Sequence, residues 1–465
     1  MNDIRYVSTR GEQEPLSFKD AVMTGLARDG GLLVPDRLPD VRPFLREWAS
    51  LDYADLAFAI MRLFAGDVAP HRLRALVNGA YAAFSVPEVA PTRKLGEGLY
   101  LLELFHGPTL AFKDIALQFL GRLFAEILEE RGGRMNILAA TSGDTGSAAI
   151  AGVRGQERVD IFVMHPHGRV SPLQERQMTS VLDANVHNIA LEGSFDDCQR
   201  VMKTLFNDLP FKEKYSLGAV NSVNWARILA QIVYYFHSAF RVMEETGADG
   251  VQFSVPTGNF GDILAGWYAK RMGLPVRRLV LATNENDILA RFFNTGRYEL
   301  GRVVPTINPS MDIQVASNFE RWLHAKLGGD CAAVREAMRT FAETGRYELP
   351  GASRGKVDAE IVAGASDTKR TLATIAKHYK KSGTLLDPHS AAGVWVGEQF
   401  NELDVPTICL ATAHPAKFPK AILDATGEDL AHHPVLDALA GAETRVAVLP
   451  NDAEAVRAHV AAHAR

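Results

Sequence analysis

The chain has 465 residues, 47% hydrophobic and 23% charged, a composition typical of a globular protein with room for two or three domains of roughly 150 residues. Fifty basic against 55 acidic residues leave a formal charge of −5 with no long like-charge block, so binding to nucleic acid or a membrane surface through a general basic field is not expected. Cys198, Cys331 and Cys409 are far apart and in no Cys-x-x-Cys spacing, the first nine residues are polar, and no run of about 18 apolar residues occurs; disulfides, a zinc site, export and a membrane span are all unexpected, and a reducing cytoplasm fits best.

From Met1 to about Gly98 the sequence is helix-rich and punctuated by prolines, with Pro87 and Pro91 just before a new segment at Leu99, which places a domain boundary near 95. Apolar residues at Ile115, Phe119, Leu120, Leu123, Phe124, Ile127 and Leu128 predict an amphipathic helix over 113–130, ended by Gly132-Gly133, with Lys113 at its start. A strand over Met135–Ala140, a small-residue helix from Thr145, and strands over Val159–Met164 and Val186–Leu191 follow. Ser194 with Asp197 reads as a helix cap for the stretch to Leu209. Helices over 225–243 and 262–272 then alternate with strands over 251–255 and 278–282. Such alternation predicts an α/β chain with parallel, helix-covered sheets, whose ligands bind beyond the carboxyl ends of strands.

Two glycine-rich turns lie at such places. Thr141-Ser142-Gly143-Asp144-Thr145-Gly146-Ser147 offers hydroxyls and helix N–H groups to an anion, although taken alone it could equally be a serine-rich turn that only caps a helix. Pro256-Thr257-Gly258-Asn259-Phe260-Gly261-Asp262 frees backbone N–H groups in the same way. Neither a Gly-x-Gly-x-x-Gly fingerprint nor a P-loop is present, and Gly351–Val357 lacks the spacing and hydroxyl the latter needs, so nucleotide triphosphates are not expected. Lys113, at the end of Phe105-His106-Gly107-Pro108-Thr109-Leu110-Ala111-Phe112, is either a lysine snorkelling at a helix end or an amine whose neutral form is favoured by burial and the helix dipole. The neutral form is able to make an imine and to carry protons.

His106–Asp114, Ser142–Ala149, Asn221-Ser222-Val223-Asn224, Pro256–Asp262, Ser310-Met311-Asp312, Asp387-Pro388-His389 and Ala411-Thr412-Ala413-His414-Pro415 together resemble the threonine synthases, pyridoxal-phosphate enzymes of fold-type II. Tyr6–Gly11 and Asp29-Gly30-Gly31-Leu32 look like the longer members of that family, which carry a separate N-terminal domain. Ser390, where a threonine is expected, and Trp225, where a proline is expected, depart from the pattern. The resemblance implies a helix-rich N-terminal domain over 1–95 and a two-subdomain core over 96–425, its smaller part at about 134–225. A C-terminal extension over 426–465 would pack on that core.

Residue by residue, the resemblance implies Lys113 as the Schiff-base lysine, Gly258, Asn259, Phe260 and Asp262 as the segment holding the cofactor phosphate, and Thr412 facing the pyridine nitrogen. It further implies Ser142, Asp144 and Thr145 beside the substrate carboxylate, and Asn221, Ser222 and Arg227, with Lys417 as a weaker candidate, on a substrate phosphate. Without the resemblance, Arg227 would read as a solvent-facing helix residue and Thr412 could be a loop cap. The histidines at 106, 389 and 414 read as loop residues bonded to backbone, and no metal site is expected. The implied reaction is O-phospho-L-homoserine plus water to L-threonine plus phosphate, by γ-elimination and β-addition of water, in a monomer or homodimer. The alternative is another lyase of the same fold, making 2-oxobutyrate from phosphohomoserine or dehydrating serine or threonine.

Overall fold

The computed structural model describes residues 3–141, 143–352, 357–402 and 404–465. Its two compact units interleave along the chain: Met1–Leu73, Val86–His106 and Ser222–Ala431 form the larger, and Arg74–Ser85, Gly107–Asn221 and His432–Arg465 the smaller.

The smaller unit is built on a five-stranded parallel sheet in the order Ala447–Pro450, Val186–Glu192, Val159–Pro166, Met135–Ala140, Leu217–Gly218. Every residue of Val159–Pro166 is buried, as expected for a central strand covered on both faces. Ser194 and Asp197 form a reciprocal capping box at the start of the Phe195–Asn207 helix. Cys198, Val201 and Leu205 on that helix share one core with Leu138, Phe162 and Ile189 of the strands. The C-terminal segment belongs to the same core, through Val456 and Val460 of the Ala453–His463 helix and through its own edge strand.

Within this unit the Lys113–Arg131 and Asp144–Val153 helices touch at backbone level. A Cβ at Gly121 would lie 2.0 Å from the Gly152 carbonyl oxygen, and one at Gly152 would lie 2.3 Å from that of Leu117. Gly121 is eight residues after Lys113 and Gly152 eight after Asp144. At about 1.5 Å of rise per residue, the two helix starts are therefore brought level with each other.

The larger unit holds a six-stranded sheet in the order Ile361–Ala365, Val276–Thr283, Val251–Pro256, Thr407–Ala411, Leu99–Glu103, Thr92–Gly96. Its first five strands are parallel, as anticipated, but Thr92–Gly96 runs antiparallel to its neighbour. Only Glu97 and Gly98 join it to Leu99–Glu103, and a two-residue connection closes a hairpin, with Gly98 in the left-handed region at φ 62°. The Pro388–Gln399 helix lies close on this sheet, where Ser254 Oγ donates to the Gly393 carbonyl at 2.6 Å. The Trp225–Thr246 helix is buried along nearly its whole circumference from Trp225 to Phe240, which makes it a central element. Trp225 stands where a proline was anticipated; its fully buried ring meets Tyr6, Phe64 and Tyr268, tying the N-terminal segment to this helix.

Gly152→Ala forces the Lys113–Arg131 and Asp144–Val153 helices apart. We expect it to cost about 1–3 kcal/mol, read as a lower urea midpoint by circular dichroism.

Candidate active site

Lys113 opens its helix with a buried side chain, 9% exposed. The turn in front is folded by its neighbour: Asp114 Oδ2 accepts the Thr109 backbone N–H at 2.8 Å and Oδ1 accepts the Thr109 hydroxyl at 2.7 Å. Leu110 is thereby held in the left-handed region at φ 59°, a conformation that costs a non-glycine residue of order 1–3 kcal/mol. Gln177 donates to the Thr109 carbonyl at 3.0 Å. The Lys113 amine reaches to 3.8 Å from Asp144 Oδ2 and 4.8 Å from the centre of the Phe112 ring.

Asp144 is the first residue of its own helix, 6% exposed, and its other oxygen, Oδ1, accepts from the Gln174 amide at 3.0 Å. A Cβ at Gly143 would lie 2.6 Å from the same Gln174 side chain, so the glycine admits this contact. Lys113, Asp144 and Thr145 are thus gathered in one unit, where the start of the Asp144–Val153 helix has backbone N–H groups suited to an anion, while those of Asp114 and Ile115 are taken by the Ala111 and Phe112 carbonyls. Ser142 lies outside the described residues.

In the larger unit, the second glycine turn follows Val251–Pro256, and Thr412 follows the adjacent parallel strand, Thr407–Ala411. Both therefore stand at the carboxyl edge of the sheet, the end at which such sheets take ligands. Gly258 packs against the backbone of the 309–311 turn; a Cβ there would be 2.5 Å from the Ser310 carbonyl oxygen. Phe260 takes φ 64° at the start of the Gly261–Met272 helix, and its buried ring is held by stacking on Phe293 and by the edge of Phe319. Asp262 Oδ1 accepts from the hydroxyls of Tyr234 and Tyr235. Burial and then the Asp262 charge hold both phenols well above their ordinary pKa, so they remain neutral donors. These contacts make Asp262 an anchor for the helix start.

Asn318 ties further pieces to this turn. Its amide donates to the carbonyls of Ser222, at 3.1 Å, and Asn259, at 3.3 Å, while its Oδ1 accepts from the buried Arg321 at 2.6 Å. Ser317 joins the Ser222 hydroxyl at 2.8 Å and donates to Asn259 Oδ1 at 3.3 Å. Arg227, the third residue of the central helix, is 5% exposed, which overturns its reading as a solvent-facing residue. Its Nε and Nη1 have no hydrogen-bond partner among the described residues. Burial lowers its pKa to about 10, so it stays charged at neutral pH. The Asn221 side-chain oxygen, in the smaller unit, is likewise buried and without a partner among the described residues. The Thr412 hydroxyl is not engaged by any described residue, whereas its backbone N–H donates to Ser390 Oγ at 3.0 Å. Lys417 is buried in the turn that follows.

His389 and His414 accept backbone N–H groups, as anticipated, whereas His106 bonds Glu103 Oε2 at 2.9 Å. Sequence reasoning passed over Gln174, Ser317, Asn318 and Arg321. None lies in a recognisable motif, and their contacts are made over long sequence separations. Asp387-Pro388-His389 and Ser310-Met311-Asp312 were visible as motifs but received no role.

Residues 5–81 match the family model described as threonine synthase N terminus, residues 85–359 that described as pyridoxal-phosphate dependent enzyme, and residues 390–460 that described as threonine synthase, C-terminal. The threonine synthase of Pseudomonas aeruginosa is 49% identical to this chain, covering 99% of it and 98% of the relative. Among solved structures, the pyridoxal-phosphate-bound threonine synthase from Brucella melitensis has a TM-score of 0.96 at 45% identity and covers 100% of both chains. Yeast threonine synthase has a TM-score of 0.94 at 39% identity, covering 99% of this chain and 98% of that one.

The buried Arg227 charge, desolvated and unpaired among the described residues, destabilises the ligand-free fold at every pH below about 10, and the cost is relieved only as pH rises from there toward the ordinary arginine value. Arg227→Met is therefore expected to stabilise the ligand-free protein at pH 7 by on the order of a few kcal/mol, read as a higher urea midpoint. It should also lose the thermal stabilisation that millimolar inorganic phosphate gives the unsubstituted protein.

Proposed function

The chain belongs to the threonine synthase family of pyridoxal-phosphate enzymes, and we propose that the residues described above carry the conversion of O-phospho-L-homoserine and water to L-threonine and phosphate. This places it at the last step of threonine biosynthesis, as a carbon–oxygen lyase acting on phosphates. The observation that carries the assignment of roles is the buried Lys113 amine at a helix start, 3.8 Å from Asp144.

The donor set suits pyridoxal 5'-phosphate. Lys113 would hold it covalently, the Gly258, Asn259 and Phe260 backbone at the start of the Gly261–Met272 helix would take its phosphate, and the Thr412 hydroxyl would meet its ring nitrogen. Asp262, tied to two tyrosines, would keep that helix start in place. When bound, the cofactor supplies an electron sink for negative charge developing at the substrate's α- and β-carbons. A neutral hydroxyl opposite the ring nitrogen tunes that sink more gently than a carboxylate would.

The Lys113 amine, when not holding the cofactor, would be the base toward the α-proton and, after giving that proton up, toward a β-proton, the electron pair of the broken β C–H bond serving to expel phosphate from the γ-carbon. Asp144 stands within ion-pairing reach of the amine and stabilises it when it holds the proton. Because the Asp144 carboxylate is engaged by Gln174 and Lys113, the substrate carboxylate is better met by backbone N–H groups at Asp144 and Thr145, with Ser142. Arg227 would grip the substrate phosphate with a planar fork, aided by Ser222 and Asn221. A buried guanidinium whose Nε and Nη1 find no acceptor among the described residues favours a phosphorylated substrate over serine or threonine. Holding phosphate and water in position is what keeps the reaction from draining to a 2-oxoacid.

The reading extends to a cytoplasmic enzyme acting as a monomer or homodimer on a small molecule alone. Three cysteines free of disulfides suit a reducing compartment, and no helix among the described residues is long and apolar enough to cross a membrane.

Incubation with phosphohomoserine should yield threonine and phosphate in equal amounts; 2-oxobutyrate in place of threonine would assign the rival lyase activity. Lys113→Ala is expected to lose both turnover and the visible absorbance of the lysine-bound cofactor, and an active variant would refute the role given to Lys113.

A further inference from the structure

Asp387 is 1% exposed and caps the Pro388–Gln399 helix, accepting the backbone N–H groups of His389, at 2.9 Å, and Ser390, at 3.3 Å. A helix cap needs no more than that. Here the same carboxylate takes two further donors, His389 Nδ1 at 2.8 Å on Oδ1 and the Ser390 hydroxyl on Oδ2, which fills its acceptor capacity. Each of those side chains then reaches a separate segment of chain. His389 Nε2 meets the Ser310 backbone N–H at 3.2 Å, and Ser390 Oγ meets the Thr412 backbone N–H at 3.0 Å.

The direction of every link follows from the backbone groups. A peptide N–H can only donate, so His389 Nε2 must carry a lone pair and the ring proton must sit on Nδ1, facing Asp387. Likewise Ser390 Oγ receives the Thr412 N–H and gives its own proton to Asp387. The imidazole thus has both nitrogens committed, and Phe418 packs against it in a T-shaped arrangement, ring centres 5.0 Å apart. Ser310 in turn is the residue whose carbonyl oxygen meets Gly258, so close that no Cβ fits between them. The rest of its segment is braced by Asn284, which donates to Thr306, Asn308 and Asp312 at 2.7–2.9 Å.

We propose that Asp387, His389 and Ser390 are positioning residues that set the two ends of the cofactor site from one buried carboxylate: His389 holds the Ser310 backbone under the Gly258 turn, and Ser390 holds Thr412. The proposal rests on the reading of Gly258 and Thr412 as cofactor contacts given above. It separates the two arms, one acting where the cofactor phosphate would sit and the other at its ring.

The test titrates the full-length chain with pyridoxal phosphate and with pyridoxal, which lacks the phosphate, following visible absorbance. His389→Leu should weaken pyridoxal phosphate about tenfold and pyridoxal little. Ser390→Ala should weaken both alike, about tenfold, and shift the absorbance maximum. His389→Gln, which keeps an acceptor toward Ser310, and Ser390→Thr, which keeps the hydroxyl, should restore values close to those of the unsubstituted chain. Equal losses of the two probes in His389→Leu, or unchanged affinities and spectra in both deletions, would overturn the proposal. If His389→Leu fails to fold, the Ser390→Ala and Ser390→Thr pair decides alone. An unsubstituted chain that binds neither probe would instead refute the cofactor assignment itself.

Discussion

Cations removed from water set the terms for this structure. A buried guanidinium or ammonium is tolerable only beside an anion or a dense set of acceptors, since desolvation outweighs most single contacts. Lys113 meets that demand inside its own unit through Asp144, whose position depends on the touching helices at Gly121 and Gly152 and on Gln174 behind it. Arg227 does not meet it among the described residues, and the missing acceptor makes the central helix a place that wants an anionic ligand. The surrounding features answer the same constraint: helix starts, glycines without room for a Cβ, and backbone N–H groups brought to strand ends.

Close backbone approach is the recurring device. Gly121, Gly152 and Gly258 each stand where a methyl group would enter a neighbouring carbonyl. Leu110 and Phe260 hold left-handed conformations that are unfavourable for side chains of their size. Such strain persists only where the surroundings over-determine it, and here they do. Asp114 grips Thr109 from below Leu110, and the rings of Phe293 and Phe319 enclose Phe260. Rigid turns of this kind keep donors aimed without reorganisation when charge develops, which is where electrostatic stabilisation is worth most.

Much of this was legible from local pattern. Strands predicted over 135–140, 159–164, 186–191, 251–255 and 278–282 fall within observed strands, and the long helices were equally visible, because apolar spacing is dictated by each element's own period. The capping box at Ser194 was visible because it closes within one turn. The glycine turns were visible as candidates because they directly follow predicted strands, and Thr412 because the resemblance implied it. Less accessible was anything joined across the chain. The Ala447–Pro450 strand pairs with Val186–Glu192 from far along the sequence, and its alternating burial over four residues carries little signal. Without the resemblance, Arg227 would read as solvent-facing, because nothing in its neighbourhood reveals that the whole helix is wrapped.

The sequence by itself therefore determined the fold class, the turns that face a ligand, and, through its motifs, the family and its lysine. The tertiary structure alone decided which charges are buried, which of them are paired, and how side chains behind the motifs orient those within them. The reason is physical. Element type and turn chemistry are governed by interactions over a few residues, whereas desolvation and hydrogen-bond direction depend on neighbours such as Asn318 to Ser222 or His389 to Ser310, which the chain brings together only when its sheets have formed.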